Sequence, residues 1–247
     1  MSWNITKNLP LILNRFFLLV IPLVWQNCTL IATSHVLLGG NLATVIERQL
    51  RNGTKPVIRG VALLCPLLQL VHFRLPSYST YLPYEILSLL SEDLLTQMTN
   101  FYLNTSFTSD DLFNNRHLSS EDYQNFYSKL NLSLDNDLHQ ISQSHRDTEK
   151  LFDEKISPLL ADENVFIDSP STFLAACTYD VLLSDVQLFY QRLQTHQVKD
   201  VIYREYPVFH GAISFVDFPL VFDDAFEIMK DCAQFILNRT TTSPFRS

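Results

Sequence analysis

Two residues in the carboxyl-terminal half of the sequence could act together as an acid–base pair. Asp180 follows the apolar run TFLAACT, and His210 follows the next predicted helix and strand. Active groups of parallel sheets lie just past the carboxyl ends of strands, so both residues would meet at one edge. A histidine there accepts the proton of a nucleophile, and a carboxylate fixes the tautomer of its ring. Two simpler interpretations stay open: Asp180 could cap a helix that has Asp185 in its first turn, and His210 could be a hydrogen-bonded loop residue.

The segments around these residues alternate between strand and helix patterns. Apolar and β-branched runs bounded by turn signals predict strands, whereas apolar residues at helical spacing predict helices. Residues 76–155 are richer in charge, Ser and Asn, and we expect them to form a helical insertion. The alternation implies an α/β fold with a parallel sheet. The predicted strands are 29–33, 57–64, 172–178 and 198–206, and the predicted helices are 41–51, 184–195 with Ser184 as N-cap, and 223–238. The inward face of the last helix is predicted to carry Phe226, Met229, Cys232, Ala233 and Ile236.

Several short motifs occur in an order that resembles a known family. They are GGNLA at 39–43, PLLQL at 66–70, LPSY at 75–78, SPLLAD at 157–162, YDVL at 179–182 and FHGA at 209–212. Over residues 29–238 the chain resembles the carboxyl-terminal part of the arylacetamide deacetylase group, in the hormone-sensitive-lipase branch of the α/β-hydrolases. The resemblance implies an α/β-hydrolase fold truncated on its N-terminal side, with the insertion as a lid over an acyl pocket. It also implies a carboxylic ester or amide hydrolase for lipophilic acyl substrates, with Asp180 as triad acid, His210 as base and no cofactor.

The sequence departs from this family at the nucleophile. The family's elbow motif GDSAG reads HVLLG at 35–39, so the position of the serine is occupied by Leu37. Leucine has no nucleophilic atom, and no acyl-enzyme can form there. Ser34 lies upstream and could reach His210 only if the turn were rebuilt. The oxyanion motif HGGG does not occur in the chain either. We therefore expect the chain to be inactive, with Asp180 and His210 as its remaining triad residues.

Three functional hypotheses remain open at this stage. The chain could be an ester hydrolase with a non-standard nucleophile. It could instead be a catalytically dead member that binds a lipophilic ester, an acyl ligand or a partner in the surviving pocket. It could also be a truncated product without independent function.

The first 28 residues have the pattern of a signal or anchor segment. Lys7 and Arg15 precede the apolar run FFLLVIPLVW at 16–25. This run suits the apolar region of a signal peptide better than a membrane span, which needs about 20 residues. A buried strand is the alternative. We expect 1–28 to be this segment, 29–238 the hydrolase domain and 239–247 a tail.

The glycosylation pattern Asn-x-Ser/Thr suggests a lumenal or secreted chain. The resemblance implies attachment to the endoplasmic reticulum membrane with the domain on the lumenal side, and secretion is the alternative. We expect membrane association and a glycoprotein. The pattern occurs at Asn4, Asn27, Asn52, Asn104, Asn131 and Asn238.

Composition argues against two other classes of function. The net charge of −8 argues against nucleic acid as a partner, because phosphate binding needs a basic surface. The four cysteines show no CxxC spacing, so we expect no metal site. Cys65 and Cys177 lie in apolar runs and are predicted to be buried thiols, whereas a Cys28–Cys232 bridge stays open. The histidines expected to be solvated in the polar insertion are His117, His139 and His145, and we interpret Asp162 and Glu163 as a loop acid pair rather than a catalytic dyad.

Overall fold

The computed structural model describes residues 19–25, 28–34, 37–51, 57–84, 90–133, 145–215 and 223–241. A five-stranded sheet in the order β1-β2-β3-β4-β5 crosses the described part of the chain. Strand β1 pairs antiparallel with β2, and the other neighbouring strands are parallel. The strands are β1 Leu19–Trp25, β2 Cys28–Ser34, β3 Val57–Leu64, β4 Ser171–Tyr179 and β5 Val201–Phe209.

Helices connect and cover these strands, as the alternating pattern predicted. The α/β fold is confirmed, and the described residues between β3 and β4 contain helices and no strand. None of the helices in the described residues is long and apolar enough to cross a membrane. The helices are α1 Leu37–Arg51, α2 Pro76–Tyr81, α3 Glu92–Leu103, α4 Ser109–Phe113, α5 Ser120–Lys129, α6 Thr148–Leu151, α7 Leu183–Thr195 and α8 Asp223–Thr241.

The two faces of the sheet bury different helices because neighbouring strand residues point to opposite sides. Val61 and Leu63 of β3 join the core that contains side chains of α1, α7 and the insertion. Ala62 and Leu64 join a second, smaller core formed with α8. Helices on both faces are the expected cover for a parallel sheet.

The last helix buries a different face from the predicted one. Its buried side chains are Ala225, Ile228, Cys232 and Phe235, whereas Phe226 is 54% exposed. Met229 and Ala233 are also exposed, and Ile236 is half-buried. Two apolar stripes lie one residue apart on this helix, so sequence periodicity did not decide between them. Packing against β3, β4 and β5 selects the stripe with the smaller Ala225.

The last strand of the sheet starts later than predicted. Val198 lies in the turn that follows the end of α7 at Thr195, where its N–H donates to the Leu193 carbonyl (3.0 Å). Strand β5 therefore runs over Val201–Phe209 rather than 198–206, and 207–209 are strand rather than loop. The predicted N-cap Ser184 is also wrong: α7 starts at Leu183, and the Ser184 hydroxyl accepts the N–H of Ser77 (3.0 Å).

One histidine of the insertion is a core residue and not a solvated one. His117 is 1% exposed, and its ring nitrogens each lie 2.9 Å from a carbonyl oxygen, of Asp111 and of Val71. In the neutral ring, the nitrogen that carries the proton donates to the carbonyl oxygen facing it, which supports burial of this side chain. His145 is half-buried against Phe107. His139 lies outside the described residues, and Asp162 and Glu163 are exposed.

The amino-terminal segment contains the strand that the sequence left as an alternative. Residues 19–25 form β1, which pairs with β2. The signal or anchor interpretation stays a prediction, and residues 1–18 lie outside the described part. Cys65 and Cys177 are buried thiols, as predicted. Cys232 is a free thiol as well, so it forms no bridge with Cys28.

Candidate active site

The ends of β4 and β5 place an acid and a histidine side by side. Tyr179 and Phe209 are paired across the two strands, so the residues that follow them leave the sheet together. Nδ1 of His210 lies 2.8 Å from Oδ2 of Asp180. Asp180 is 1% exposed and His210 is 8% exposed. The structure thus brings together the two residues that the sequence selected for acid–base chemistry.

The two oxygens of Asp180 have separate partners. Oδ1 accepts the N–H of Leu182 (2.9 Å) in the turn before α7, and Oδ2 faces His210. A capping-type contact and the contact with the histidine therefore coexist on one carboxylate. A carboxylate only accepts hydrogen bonds, so Nδ1 of His210 carries a proton and Nε2 can accept one. This is the tautomer that a general base of this type needs.

The cavity beside His210 is small. It is lined by Leu64, Cys65, Cys177 and residues 210–213, and it has room for about one water-sized group. Gly211 turns the chain here with φ 78°, a conformation that glycine adopts without strain. Within the described residues, this side of the dyad therefore offers space for a small group and not for an acyl chain.

The buried thiol in this cavity does not replace the missing serine. Cys65 follows β3 with a left-handed φ of 47°. A hydrogen bond with Cys177, together with burial, raises the pKa of the Cys65 thiol well above its ordinary value. A nucleophilic cysteine needs the opposite, because the thiolate is the reactive form. Among the described cysteines, Cys65 is thus a poor candidate for an alternative nucleophile.

The helix expected to carry the nucleophile begins at the predicted position of that residue. Leu37 is the first residue of α1, which starts four residues earlier than predicted. Gly40, in the first turn, comes so close to the segment after β3 that a Cβ atom built on it would lie 2.3 Å from Cβ of Pro66. The glycine is therefore needed for close packing of α1 against the residue after Cys65, and not for a special backbone angle.

Two of the sequence motifs, PLLQL and SPLLAD, are joined by hydrogen bonds. The Leu70 N–H donates to Ser157 Oγ (2.9 Å), and the Leu159 N–H donates to the Leu68 carbonyl (2.8 Å). The PLLQL and SPLLAD segments thus form one unit although the insertion separates them in sequence.

A second carboxylate, Asp185, has no histidine partner among the residues that the structure describes. Its Oδ1 accepts from Gln69 Nε2 and its Oδ2 from the Tyr78 hydroxyl, each at 3.1 Å. Burial raises the pKa of Asp185 to about 7, while the bonds from Gln69 and Tyr78 act in the opposite direction. The sequence placed Asp185 in the first turn of α7 but did not indicate these partners.

A larger groove lies away from the dyad. It has a volume of about 550 Å³ between the insertion and α7, and its apolar lining includes Leu75, Tyr127, Leu132 and Leu188. Neither Asp180 nor His210 lines it.

Comparison with curated proteins finds esterase-type relatives. Bovine arylacetamide deacetylase is 28% identical over 193 residues, which cover 72% of this chain and 47% of the relative. Human arylacetamide deacetylase-like 2 is 28% identical over 200 residues, covering 73% and 47%. Bovine neutral cholesterol ester hydrolase 1 is 26% identical over 201 residues, covering 74% and 48%. The chain spans about half the length of the curated relatives it matches, and no family model matches it.

Solved structures show the same fold. A hyperthermophilic esterase from the archaeon Pyrobaculum calidifontis superposes with a TM-score of 0.59 at 18% identity, covering 86% of this chain and 53% of the esterase. A thermophilic carboxylesterase from a metagenomic library gives a TM-score of 0.56 at 20% identity, covering 84% and 53%. At this identity the likeness establishes the α/β-hydrolase fold alone.

Proposed function

Since the chain belongs to the arylacetamide deacetylase group of the α/β-hydrolases, we propose that it keeps the acid–base half of an esterase-type site without the nucleophile. The observation that carries this proposal is the 2.8 Å contact between Nδ1 of His210 and Oδ2 of Asp180 at the carboxyl end of the sheet. In such a site, Nε2 of the histidine takes the proton of a serine and later gives it to the leaving group. Asp180 stabilises the imidazolium that forms.

The missing step is the covalent one. Leu37 occupies the position of the nucleophile at the start of α1, and its side chain cannot attack an ester carbonyl. The buried Cys65 remains a protonated thiol for the reasons given above. We propose that this chain does not hydrolyse esters by the route of its relatives, although His210 and Asp180 remain placed for it.

A fluorophosphonate reagent tests this proposal, because it modifies only activated serine hydrolase nucleophiles. We expect no labelling of the purified chain and no release of product from short-chain nitrophenyl esters. His210→Ala is the matched control. Labelling of the wild-type chain that disappears in His210→Ala would show a working nucleophile and overturn the proposal of inactivity.

Binding of a lipophilic ester or acyl ligand without catalysis is the second candidate function. It is supported by the 550 Å³ groove, whose volume lies in the range of small-molecule sites. Saturable binding of a fluorescent fatty-acid analogue should be lost in Leu188→Asp, which places a charge in the groove. The exposed Leu237→Asp on α8 serves as the control. Equal binding by both variants would rule out the groove.

Residence on the lumenal side of the endoplasmic reticulum membrane is likewise our proposal. Asn104, Asn131 and Asn238 each begin a glycosylation motif, and all three are exposed. We expect a chain expressed in mammalian cells to sediment with membranes and to lose mass on treatment with endoglycosidase H. A secreted chain would resist that enzyme. A chain without glycans would contradict the proposed glycosylation, and a chain that does not sediment with membranes would contradict the membrane location.

A further inference from the structure

Two cysteines far apart in sequence meet at the carboxyl ends of neighbouring strands. The Cys65 N–H donates to the Ala175 carbonyl (2.9 Å), which extends the pairing of β3 with β4 by one residue. Cys177 lies two residues further along β4, in the same small core as Ala175. Asp180 follows directly after β4. The thiols and the carboxylate are all buried.

The ligand atoms of these three residues form a compact group. The two Sγ atoms and one carboxylate oxygen of Asp180 all lie within 4.8 Å of one another. Zinc–sulfur bonds are about 2.3 Å long, so two sulfurs on one tetrahedral ion lie about 3.8 Å apart. Small rotations of the side chains would therefore bring all three atoms onto one ion. No other group of this kind occurs among the residues that the structure describes.

We propose that Cys65, Cys177 and Asp180 bind one Zn²⁺ ion. Two thiolates select a soft divalent cation, and a carboxylate oxygen is a regular third ligand of zinc. The fourth position would open toward the small cavity, which Cys65 and Cys177 line and which has room for about one water-sized group. Three protein ligands with one open position is the arrangement of open zinc sites.

The existing contacts of Asp180 are compatible with this role. Its oxygens accept from Leu182 and face His210, but a carboxylate has about four acceptor positions and keeps free lone pairs. Each thiol releases a proton to solvent when it binds the ion. Two thiolates and one carboxylate then surround the dipositive ion, which compensates the cost of burying its charge. The site does not depend on the proposed function, since metal content is read without any substrate.

Metal content of variants tests the proposal directly. The chain is purified after reduction with a phosphine, which does not compete for zinc, and is dialysed against Zn²⁺. We expect about one Zn²⁺ per chain, lost in Cys65→Ser and in Cys177→Ser. Cys232→Ser is the matched control, because Cys232 is a third buried free thiol outside the group and should leave the zinc content unchanged. Asp180→Asn should weaken binding at least about 10-fold.

Two further measurements separate metal loss from misfolding. Co²⁺ in place of zinc should give thiolate-to-metal charge-transfer absorption in the wild type and in Cys232→Ser only. Zn²⁺ should raise the melting temperature of the wild type but not that of a folded Cys65→Ser chain. Failure of the reduced wild type to take up either metal, or equal uptake by Cys65→Ser and Cys232→Ser, would overturn the proposal. Mass spectrometry of the reduced wild type gives a third criterion. A mass two hydrogens below that of the fully reduced chain would also overturn the proposal, because Cys65 and Cys177 would then form a disulfide that resists reduction.

Discussion

Asp180 and Asp185 are two buried carboxylates at the same end of the molecule, but their surroundings differ. Asp180 is 1% exposed and faces a titratable ring beside a cavity. Asp185 is 0% exposed and accepts hydrogen bonds from an amide and a phenol. Asp180 contacts and can orient the ring of His210, whereas Asp185 joins Gln69 and Tyr78 to α7. The partner of a buried acid, and not its burial, indicates its role.

The largest expected effect is on the pH dependence of stability through Asp185. Its pKa is raised to about 7, against about 3.9 in an unfolded chain. Between these values the folded state holds a proton that the unfolded state releases, so this carboxyl group costs stability as the pH rises. The cost is complete above pH 7 and amounts to at most ~4 kcal/mol. Asp185→Asn should therefore become more stable relative to the wild type between pH 4 and pH 7.5.

The quantity to measure is the difference in free energy of unfolding between the wild type and Asp185→Asn. Burial lowers the pKa of His72 to about 3. Because the unfolded chain binds this proton more readily, His72 lowers the stability of the protein as the pH falls below about 6.5. This contribution opposes that of Asp185 in an overlapping pH range. Urea unfolding of wild type and variant at several pH values removes this shared contribution. Asp180→Asn, as control, should keep most of the wild-type slope. A pH-independent difference for Asp185→Asn would show that Asp185 is not the titrating group.

The next largest effect is on stability through the packing of α1 against the segment after β3. Alanine at an interior helix position is normally about 1 kcal/mol more stable than glycine. In Gly40→Ala the new Cβ would meet Pro66, so we expect the opposite sign, a loss of about 1–3 kcal/mol in the free energy of unfolding. Gln49 lies at an exposed position of the same helix, so the difference in stability between Gln49→Gly and Gln49→Ala serves as a control for the ordinary preference of a helix for alanine. A stabilised Gly40→Ala protein would contradict the close contact.

Part of this picture could be predicted from the sequence. Turn residues at strand ends selected Asp180 and His210, because the ends of parallel strands are neighbours. The sequence could not distinguish the roles of Asp180 and Asp185, because these depend on whether the ring that follows β5 or an amide from the segment after β3 faces each acid. Burial of His117 and the meeting of Cys65 with Cys177 likewise depend on contacts between distant segments. On α8, two apolar stripes fit the helical period equally well, and only packing decides between them.

A smaller loss of stability is expected when the hydroxyl that donates a hydrogen bond to Asp185 is removed. Tyr78 is fully buried, and Tyr78→Phe keeps the ring while it removes the donor to Oδ2 of Asp185 (3.1 Å) and the longer contact with Gln69 Nε2 (3.3 Å). One lost hydrogen bond of this kind costs about 1–2 kcal/mol, which denaturant titration detects. Tyr81→Phe is the control, because Tyr81 is half-buried and contacts Tyr179 through its ring. Equal losses in both variants would mean that the bond to Asp185 contributes little.

The smallest signal should come from restoring a nucleophile. Leu37→Ser places a hydroxyl at the first residue of α1, and the N–H that follows it can act as one oxyanion donor. A missing second donor slows such reactions about 10²–10³-fold, so we expect slow but measurable fluorophosphonate labelling. If Asp180 supports His210 and Asp185 does not, Asp180→Asn or His210→Ala should abolish this labelling, whereas Asp185→Asn should preserve it. Labelling that survives His210→Ala, or that requires both carboxylates equally, would remove the distinction between the two acids.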